Sequence, residues 1–350
     1  MVDFNPSEIK RLESAIDAAS IPVIVTHAKP DGDAMGSSIA MLHFLRSRGK
    51  DKSRIVLSDP WPGYLSFLIT EEDAVLVHSS NQKEALDMIE SSDLIICLDF
   101  NAFHRTDELE KALSSSSATK VLIDHHLNPD REKFDICFSE TAISSASELL
   151  YSILMKTGSI NADASRLPSK AAEALMTGMT TDTNNFANSV YPSTLVMASE
   201  LIAAGTDRDF IISRLYNQYR ENRVRLMGTV LKDLMHITDY GVAYMILDSK
   251  TLKEYDVREG ETEGFVNIPL SMGKVRMSIL LKEEEDRVRV SIRSKKGTSA
   301  NRCARLYFNG GGHENAAGGK LYMPADIKNI SEAAEYIVRN TSKFLAEENE

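Results

Sequence analysis

Asp124-His125-His126 closes the apolar run Lys120-Val-Leu-Ile-Asp-His-His. Successive side chains on a strand point to opposite faces. At a strand end this tripeptide offers one carboxylate and two imidazoles in a small space, which is useful for holding a metal and wasteful for packing a core. Similar groups recur. His27, Asp31 and Asp33 follow Ile21-Pro-Val-Ile-Val-Thr, Asp99 follows Asp93-Leu-Ile-Ile-Cys-Leu, and Asp182 lies in Gly178-Met-Thr-Thr-Asp-Thr. A lone strand-end Asp is more often a turn or cap residue than a ligand. Here, however, three of the chain's eight histidines (His27, His125, His126) fall in the same segments as these aspartates, and the conjunction argues for one shared site. His43, His78, His104 and His236 lack such a context and read as structural.

Mixed carboxylate and imidazole donors suit divalent ions such as Mn²⁺, with Mg²⁺ also admissible. In Pro30-Asp31-Gly32-Asp33, Pro30 stiffens the turn and Gly32 lets it bend sharply before a helix begins near Ala34. Two carboxylates one residue apart can serve different ions of a pair. Such ions sit roughly 3.5–4 Å apart and clamp the attacking and leaving oxygens of a phosphoryl transfer.

A second constellation is Asn309-Gly310-Gly311-Gly312-His313, followed by Ala316-Ala317-Gly318-Gly319. Consecutive glycines allow an anion to approach backbone N–H groups, and His313 adds a directed donor. Upstream lie Arg293, Asn301 and Arg302; arginine suits bidentate phosphate contacts.

These residues need elements to position them. Runs at 21–26, 53–57, 74–78, 93–99, 120–124 and 134–138 are apolar without alternation, as strands buried on both faces of a parallel sheet are. Met35, Ile39, Leu42 and Leu45 have helical spacing, which predicts a helix over 34–48 ending at Gly49. Serines open a second helical region at 144–157, and Pro168 starts a third that runs to Met179. Strands alternating with helices give an α/β fold with crossover helices. Residues 193–236 read as a helical linker. Beyond it, 241–247, 274–281 and 287–293 read as strands, the last alternating Val and Ile against Arg and Ser, with Glu283–Asp286 as a hairpin turn. The expected domains are 1–192, a parallel-sheet catalytic domain; 193–236, the linker; and 237–350, a smaller α+β substrate-binding domain.

The 350 residues suit about two domains. A hydrophobic fraction of 43% and a charged fraction of 26% are those of an ordinary globular chain. No apolar run spans a bilayer, and the N-terminus lacks the layout of a signal peptide. Cys97, Cys137 and Cys303 are too few and scattered for a disulfide framework; they read as buried thiols, and a cytoplasmic location is expected. The net charge of −11 argues against a long basic groove for polymeric nucleic acid. Residues 270–320 nevertheless carry eleven Lys and Arg against five Asp and Glu, a balance of +6 that leaves −17 elsewhere. Acidic metal-binding residues and a separate basic segment for phosphate would produce that split.

Together these residues resemble the DHH phosphoesterase superfamily, and within it the nanoRNase and 3′-phosphoadenosine-5′-phosphate (pAp) phosphatase group. The resemblance spans nearly the whole chain. It rests on His-x-x-Pro-Asp-x-Asp-Ala-x-Gly-Ser at 27–37, Asp99, Asp124-His125-His126, Asp182-Thr183, and the Gly-Gly-Gly-His of a DHH-associated C-terminal domain at 310–313. Two positions depart from the family pattern: Phe100 where a small residue is usual, and Asn184 where Gly is usual. Asn tolerates left-handed backbone, so the turn at Asn184 should survive.

The resemblance implies two Mn²⁺ ions, one on His27, Asp31 and Asp99, the other on Asp33, Asp99, His125 and Asp182. It makes Asp124 the residue that orients a ligand imidazole, and His126 the group facing the scissile phosphate. Arg293, Asn301, Gly310, Gly311, Gly312 and His313 would hold the substrate. Implied substrates are pAp, dinucleotides and oligoribonucleotides of a few residues; membranes are not implied, and a homodimer is an open possibility. A cyclic di-AMP phosphodiesterase and a RecJ-like single-strand exonuclease share the motifs. A manganese pyrophosphatase lacks the Gly-Gly-Gly-His module. A non-catalytic nucleotide sensor would be expected to have lost a ligand, and all are present.

Overall fold

The computed structural model describes residues 4–70 and 74–347; the first three residues of the N-terminal segment considered above lie outside them. The chain divides into two compact units, Met1–Gln218 and Tyr219–Glu350.

The first unit is built on six strands: β1 (Pro22–Thr26), β2 (Arg54–Leu57), β3 (Val75–Val77), β4 (Leu94–Leu98), β5 (Thr119–Asp124) and β6 (Ile136–Ser139). Every pairing is parallel and the order is β3-β2-β1-β4-β5-β6. β1 and β4 are buried along their whole length, the condition that continuous apolar runs anticipate. Ile24, Ile55, Ile96 and Ile123 pack in one core, and Val23, Val25, Ile95, Cys97 and Leu122 in another. Alternate residues thus supply opposite faces. The strand order reverses between β1 and β4, where open α/β sheets leave a crevice outside the carboxyl ends of their strands.

The helices of this unit are α1 (Pro6–Ala18), α2 (Gly32–Ser47), α3 (Gln82–Ser91), α4 (Glu110–Ser115), α5 (Ala146–Leu154), α6 (Ser169–Asp182), α7 (Pro192–Ala203) and α8 (Arg208–Tyr216). Asp31 caps α2 by accepting from the N–H groups of Asp33 and Ala34, and Ser145 caps α5 by accepting from Glu148. α2 and α6 cross closely enough to exclude side chains at their contact. A Cβ on Gly36 would lie 2.6 Å from the Ala174 carbonyl, and one on Gly32 would lie 2.3 Å from Thr181 Oγ1.

The stretch read as a linker is divided between the units. Met197, Ala198, Leu201, Ile211 and Leu215 of α7 and α8 join the core of the first. Leu226 of α9 (Glu221–Thr229) and Val230 of a π-helical turn join a core of the second. The last residues of that stretch are not helical, since β7 (Met235–Ile237) begins there.

The second unit carries a sheet ordered β11-β12-β10-β9-β8-β7. The strands are β8 (Val242–Leu247), β9 (Met277–Glu283), β10 (Arg287–Ser294), β11 (Gly311–His313) and β12 (Ala316–Tyr322). α10 (Ser249–Glu254), α11 (Ala300–Tyr307) and α12 (Ala333–Glu347) complete it. β8 and β9 are parallel and the other pairs antiparallel. β10 alternates strictly, with Val288, Val290 and Ile292 inward. No helix among the described residues is long and apolar enough to cross a membrane. The cysteines are unpaired; Cys97 and Cys303 are buried, whereas Cys137 is only half-buried because it sits on the edge strand β6.

Candidate metal centre

Three strand ends and two helix ends converge on one acidic cluster. His27 follows β1, Asp99 follows β4, and Asp124 ends β5, with His125 and His126 next in the chain. Asp31 and Asp33 lie at the start of α2 and Asp182 is the last residue of α6. A carboxylate at a helix C-terminus is opposed by the helix dipole, so Asp182 costs stability where it stands unless a cation compensates.

Asp99 is the hub. One oxygen, Oδ2, lies 3.5 Å from His27 Nε2, and the other, Oδ1, lies 3.4 Å from His125 Nε2. His27 Nε2 is also 3.9 Å from Asp31 Oδ1, and His125 Nε2 is 3.8 Å from Asp33 Oδ2 and 3.7 Å from Asp182 Oδ2. His27, Asp31 and Asp99 offer donor atoms within 4.8 Å of one another, and so do Asp33, His125 and Asp182. Buried Asp99 Oδ1 accepts no hydrogen bond. An orphaned carboxylate oxygen in a buried acidic cluster is costly unless a cation meets it, and hard oxygen with imidazole nitrogen is a donor set that divalent ions accept. The residues therefore fit a metal. Asp99 also holds a left-handed backbone, φ 62°, a strain typical of functional positions.

The surroundings fix these groups. His27 Nδ1 lies 2.9 Å from the Ala28 carbonyl, which places the proton on Nδ1 and turns the Nε2 lone pair toward the acids. Asp33 Oδ2 accepts from the Ala146 N–H at 2.6 Å and its Oδ1 from the Ser147 N–H at 2.9 Å, at the start of α5. Motif reading missed these donors, because a backbone amide leaves no mark in sequence. It also missed Gly178, where a Cβ would lie 2.9 Å from Asp33 Oδ1 and 2.0 Å from Ser147 Oγ. Asp124 engages His126: its Oδ1 lies 2.7 Å from His126 Nδ1. The imidazole it orients is thus the one expected to face substrate rather than His125, the expected ligand. Asn184 takes the left-handed conformation that glycine would supply, φ 47°.

Electrostatics follow from burial and crowding. Burial and the charges of Asp99 and Asp182 push the Asp33 carboxyl well above its ordinary range. Burial opposes ionisation of Asp99, yet contacts with His125 and His27 hold its carboxyl well below that range. Burial also works against charging His125, but Asp99, Asp182 and Asp33 outweigh it and raise its pKa to about 10. His27 is raised in the same way against its burial, by Asp99 and Asp31. Burial lowers His126 despite Asp124, so this imidazole rests neutral, donating its Nδ1 proton to Asp124 and leaving Nε2 as an acceptor.

The residues expected to hold substrate lie in the second unit. Gly311–His313 is strand β11, paired with β12 in register Gly311 to Gly318 and His313 to Ala316. It is one arm of a hairpin rather than an open loop. The glycines permit close backbone approach: a Cβ on Gly310 would lie 1.9 Å from the Gly318 carbonyl, and one on Gly319 would lie 2.2 Å from the Phe308 carbonyl. Asn301, on α11, accepts from the Gly312 N–H at 3.1 Å. Arg293 is half-buried on β10, beside Ala316 of β12.

A doubly wound α/β sheet with carboxylates and imidazoles gathered at its strand ends defines a class, the phosphoesterases built on such a centre. The chain belongs to the DHH family. Residues 22–179 match the model of the DHH family, N-terminal domain, and residues 239–340 match that of the DHHA1 domain. It is 30% identical to the bifunctional oligoribonuclease and PAP phosphatase NrnA of Bacillus subtilis, over 86% of this chain and 89% of that one. It is 29% identical to the NrnA of Thermus thermophilus, over 90% and 88%. Among solved structures, that of an exopolyphosphatase-related protein from Bacteroides fragilis superposes with a TM-score of 0.90 at 35% identity, over 99% and 98% of the two chains.

Proposed function

We propose that this phosphoesterase hydrolyses oligoribonucleotides of a few residues and pAp, using two Mn²⁺ ions. The observation that carries the reading is Asp99, buried between two imidazoles with one oxygen left without a hydrogen bond. His27, Asp31 and Asp99 would hold one ion and Asp33, Asp99, His125 and Asp182 the other. Bound ions supply Lewis acidity and lower the pKa of water. The chain's own residues supply the rest. Asp124 fixes the ring of His126, and neutral Nε2 can take a proton during attack and return it to the departing oxygen. Arg293, Asn301, His313 and the glycine hairpin are the substrate-holding set of the second unit. The net charge of −11 supports short substrates over long nucleic acid. The names of the relatives in Bacillus and Thermus support the same choice.

The test is a parallel product assay in Mn²⁺ and in Mg²⁺ with pAp, pApA, cyclic di-AMP, a pentameric RNA and a long RNA. Conversion of pAp, pApA and the pentamer in Mn²⁺, with the long RNA spared, is the expected result. Preferential attack on cyclic di-AMP or on the long RNA would refute the substrate assignment. Homodimerisation and a cytoplasmic location belong to the same proposal. Sedimentation as a monomer at micromolar concentration would exclude the dimer, and fractionation of cells would test the location.

A further inference from the structure

Arg105 belongs to no motif considered above. It follows Asp99 by six residues, in the short 3₁₀ segment Phe103–Leu109. Its backbone is clamped on the centre. The Ala28 N–H donates to the Arg105 carbonyl at 2.8 Å, and Ala28 is the residue whose own carbonyl receives His27 Nδ1. The next residue, Thr106, is fully buried and its carbonyl accepts from the Ser58 hydroxyl. The main chain at 105–106 is therefore tied to the loop after β1 and to the residue after β2.

The side chain is treated differently. Arg105 is half-buried, and among the described residues its guanidinium forms no hydrogen bond or ion pair. Asp99 stands six residues before it in the chain. The positive charge of Arg105 reaches two sides of the centre, acting on both His27 and His126. An arginine whose main chain is fixed against the loop that carries His27, and whose guanidinium pairs with no carboxylate, is held ready for an anion from outside. A guanidinium presents five donors in a planar fork that matches phosphate oxygens.

We propose that Arg105 binds the phosphoryl group of the substrate at the centre, gripping its non-bridging oxygens. The proposal rests on the phosphoesterase reading above and adds to it a cation contributed by the catalytic unit itself. Charge on those oxygens grows during attack, so the contact strengthens in the transition state.

The test pairs Arg105→Ala with Arg105→Lys in the full-length protein and reads three quantities: kcat/KM on pApA in Mn²⁺, the Kd of AMP in Mn²⁺ by calorimetry, and Mn²⁺ binding by equilibrium dialysis. In Arg105→Ala, kcat/KM should fall by about 100-fold or more and AMP binding should weaken by about tenfold. Arg105→Lys should recover part of the AMP affinity and little of kcat, because lysine keeps the charge and loses the fork. Mn²⁺ binding should match wild type in both. Wild-type AMP affinity in both variants would overturn the proposal. Loss of Mn²⁺ binding in Arg105→Lys would also overturn it, by showing a structural role. If Arg105→Ala does not fold, the lysine variant decides. Should the wild type cleave no ester, the proposed activity fails while AMP binding still judges Arg105.

Discussion

Asp124 Oδ1 stands 2.7 Å from His126 Nδ1, and the acid is fully buried. Its other oxygen accepts no hydrogen bond. The carboxylate therefore has one main task, fixing the tautomer and angle of a neutral imidazole. In Asp124→Asn the amide can present its oxygen or its nitrogen to Nδ1, and the second option reverses the tautomer. We expect kcat to fall by about 10²–10⁴-fold with Mn²⁺ affinity retained. Steady-state kinetics beside equilibrium dialysis checks this; loss of both together would contradict it.

Asp99→Asn should behave differently. It keeps the shape of the hub and removes the charge that both His27 and His125 face. Mn²⁺ affinity should drop by at least about 100-fold, and turnover with it. Normal manganese-dependent turnover in this variant would end the two-ion reading.

The ion-free protein should lose stability as pH rises. His125 titrates near 6.5 when unfolded and at about 10 when folded. A raised pKa means that the folded state binds the proton more tightly. The stabilisation is complete below about 6.5 and disappears as pH climbs through 10. The raised carboxyl of Asp33 acts in the same sense from its own, lower range upward. Metal binding requires these protons to leave, so Mn²⁺ affinity should increase over the same interval. Thermal melting between pH 6 and 10, with chelator and with Mn²⁺, checks both signs: the two midpoints should diverge as pH rises.

Gly178→Ala inserts a methyl group 2.0 Å from Ser147 Oγ and 2.9 Å from Asp33 Oδ1. We expect a loss of about 1–3 kcal/mol in stability and roughly tenfold weaker binding of an ion. Denaturant melts and metal titration report the two effects separately. An unchanged titration would mean that Asp33 moves freely with its helix.

In the glycine hairpin, neighbouring positions should differ. Gly310→Ala collides with the Gly318 carbonyl at 1.9 Å, whereas Gly311→Ala meets nothing nearer than Asn301 Oδ1 at 3.5 Å. The first should raise KM for pApA and spare Mn²⁺ binding; the second should be nearly silent in stability. Equal effects from the two would show that backbone packing is not what selects glycine at 310.

The central strands of the first sheet were legible because burial on both faces leaves an uninterrupted apolar run, as in Val23–Val25 and Ile95–Leu98. The acids and imidazoles gathered at the strand ends were legible because their types are wasteful anywhere else. What stayed hidden was carried by backbone. β11 is three residues of glycine and histidine, and glycine has no strand preference to read. The Ala146 and Ser147 amides that hold Asp33 have no side-chain signature. α7 and α8 resembled a connector because their apolar residues do not form one stripe: Leu195, Val196, Ile202 and Phe210 are exposed, while Met197, Leu201, Ile211 and Leu215 seat the helices in the core. Half-burial of Cys137 depends on β6 being at an edge, a fact of strand order that no local pattern contains.

The crossing of α2 over α6 has a consequence for how the centre tolerates change. Asp33 and Asp182 ride on helices that touch through Gly32, Gly36 and Gly178. Gly36 meets the Ala174 carbonyl and the Gly178 main chain directly, and Gly32 meets only the short Thr181 side chain, so little between the helices can adjust. Such a joint has almost no slack in compression. With ions bound as proposed, a difference in radius would fall on the opposite side, on Asp31, whose side chain is exposed. The centre is asymmetric in compliance, with one stiff wall and one that yields, and any preference it has for ion size is written into the stiff wall.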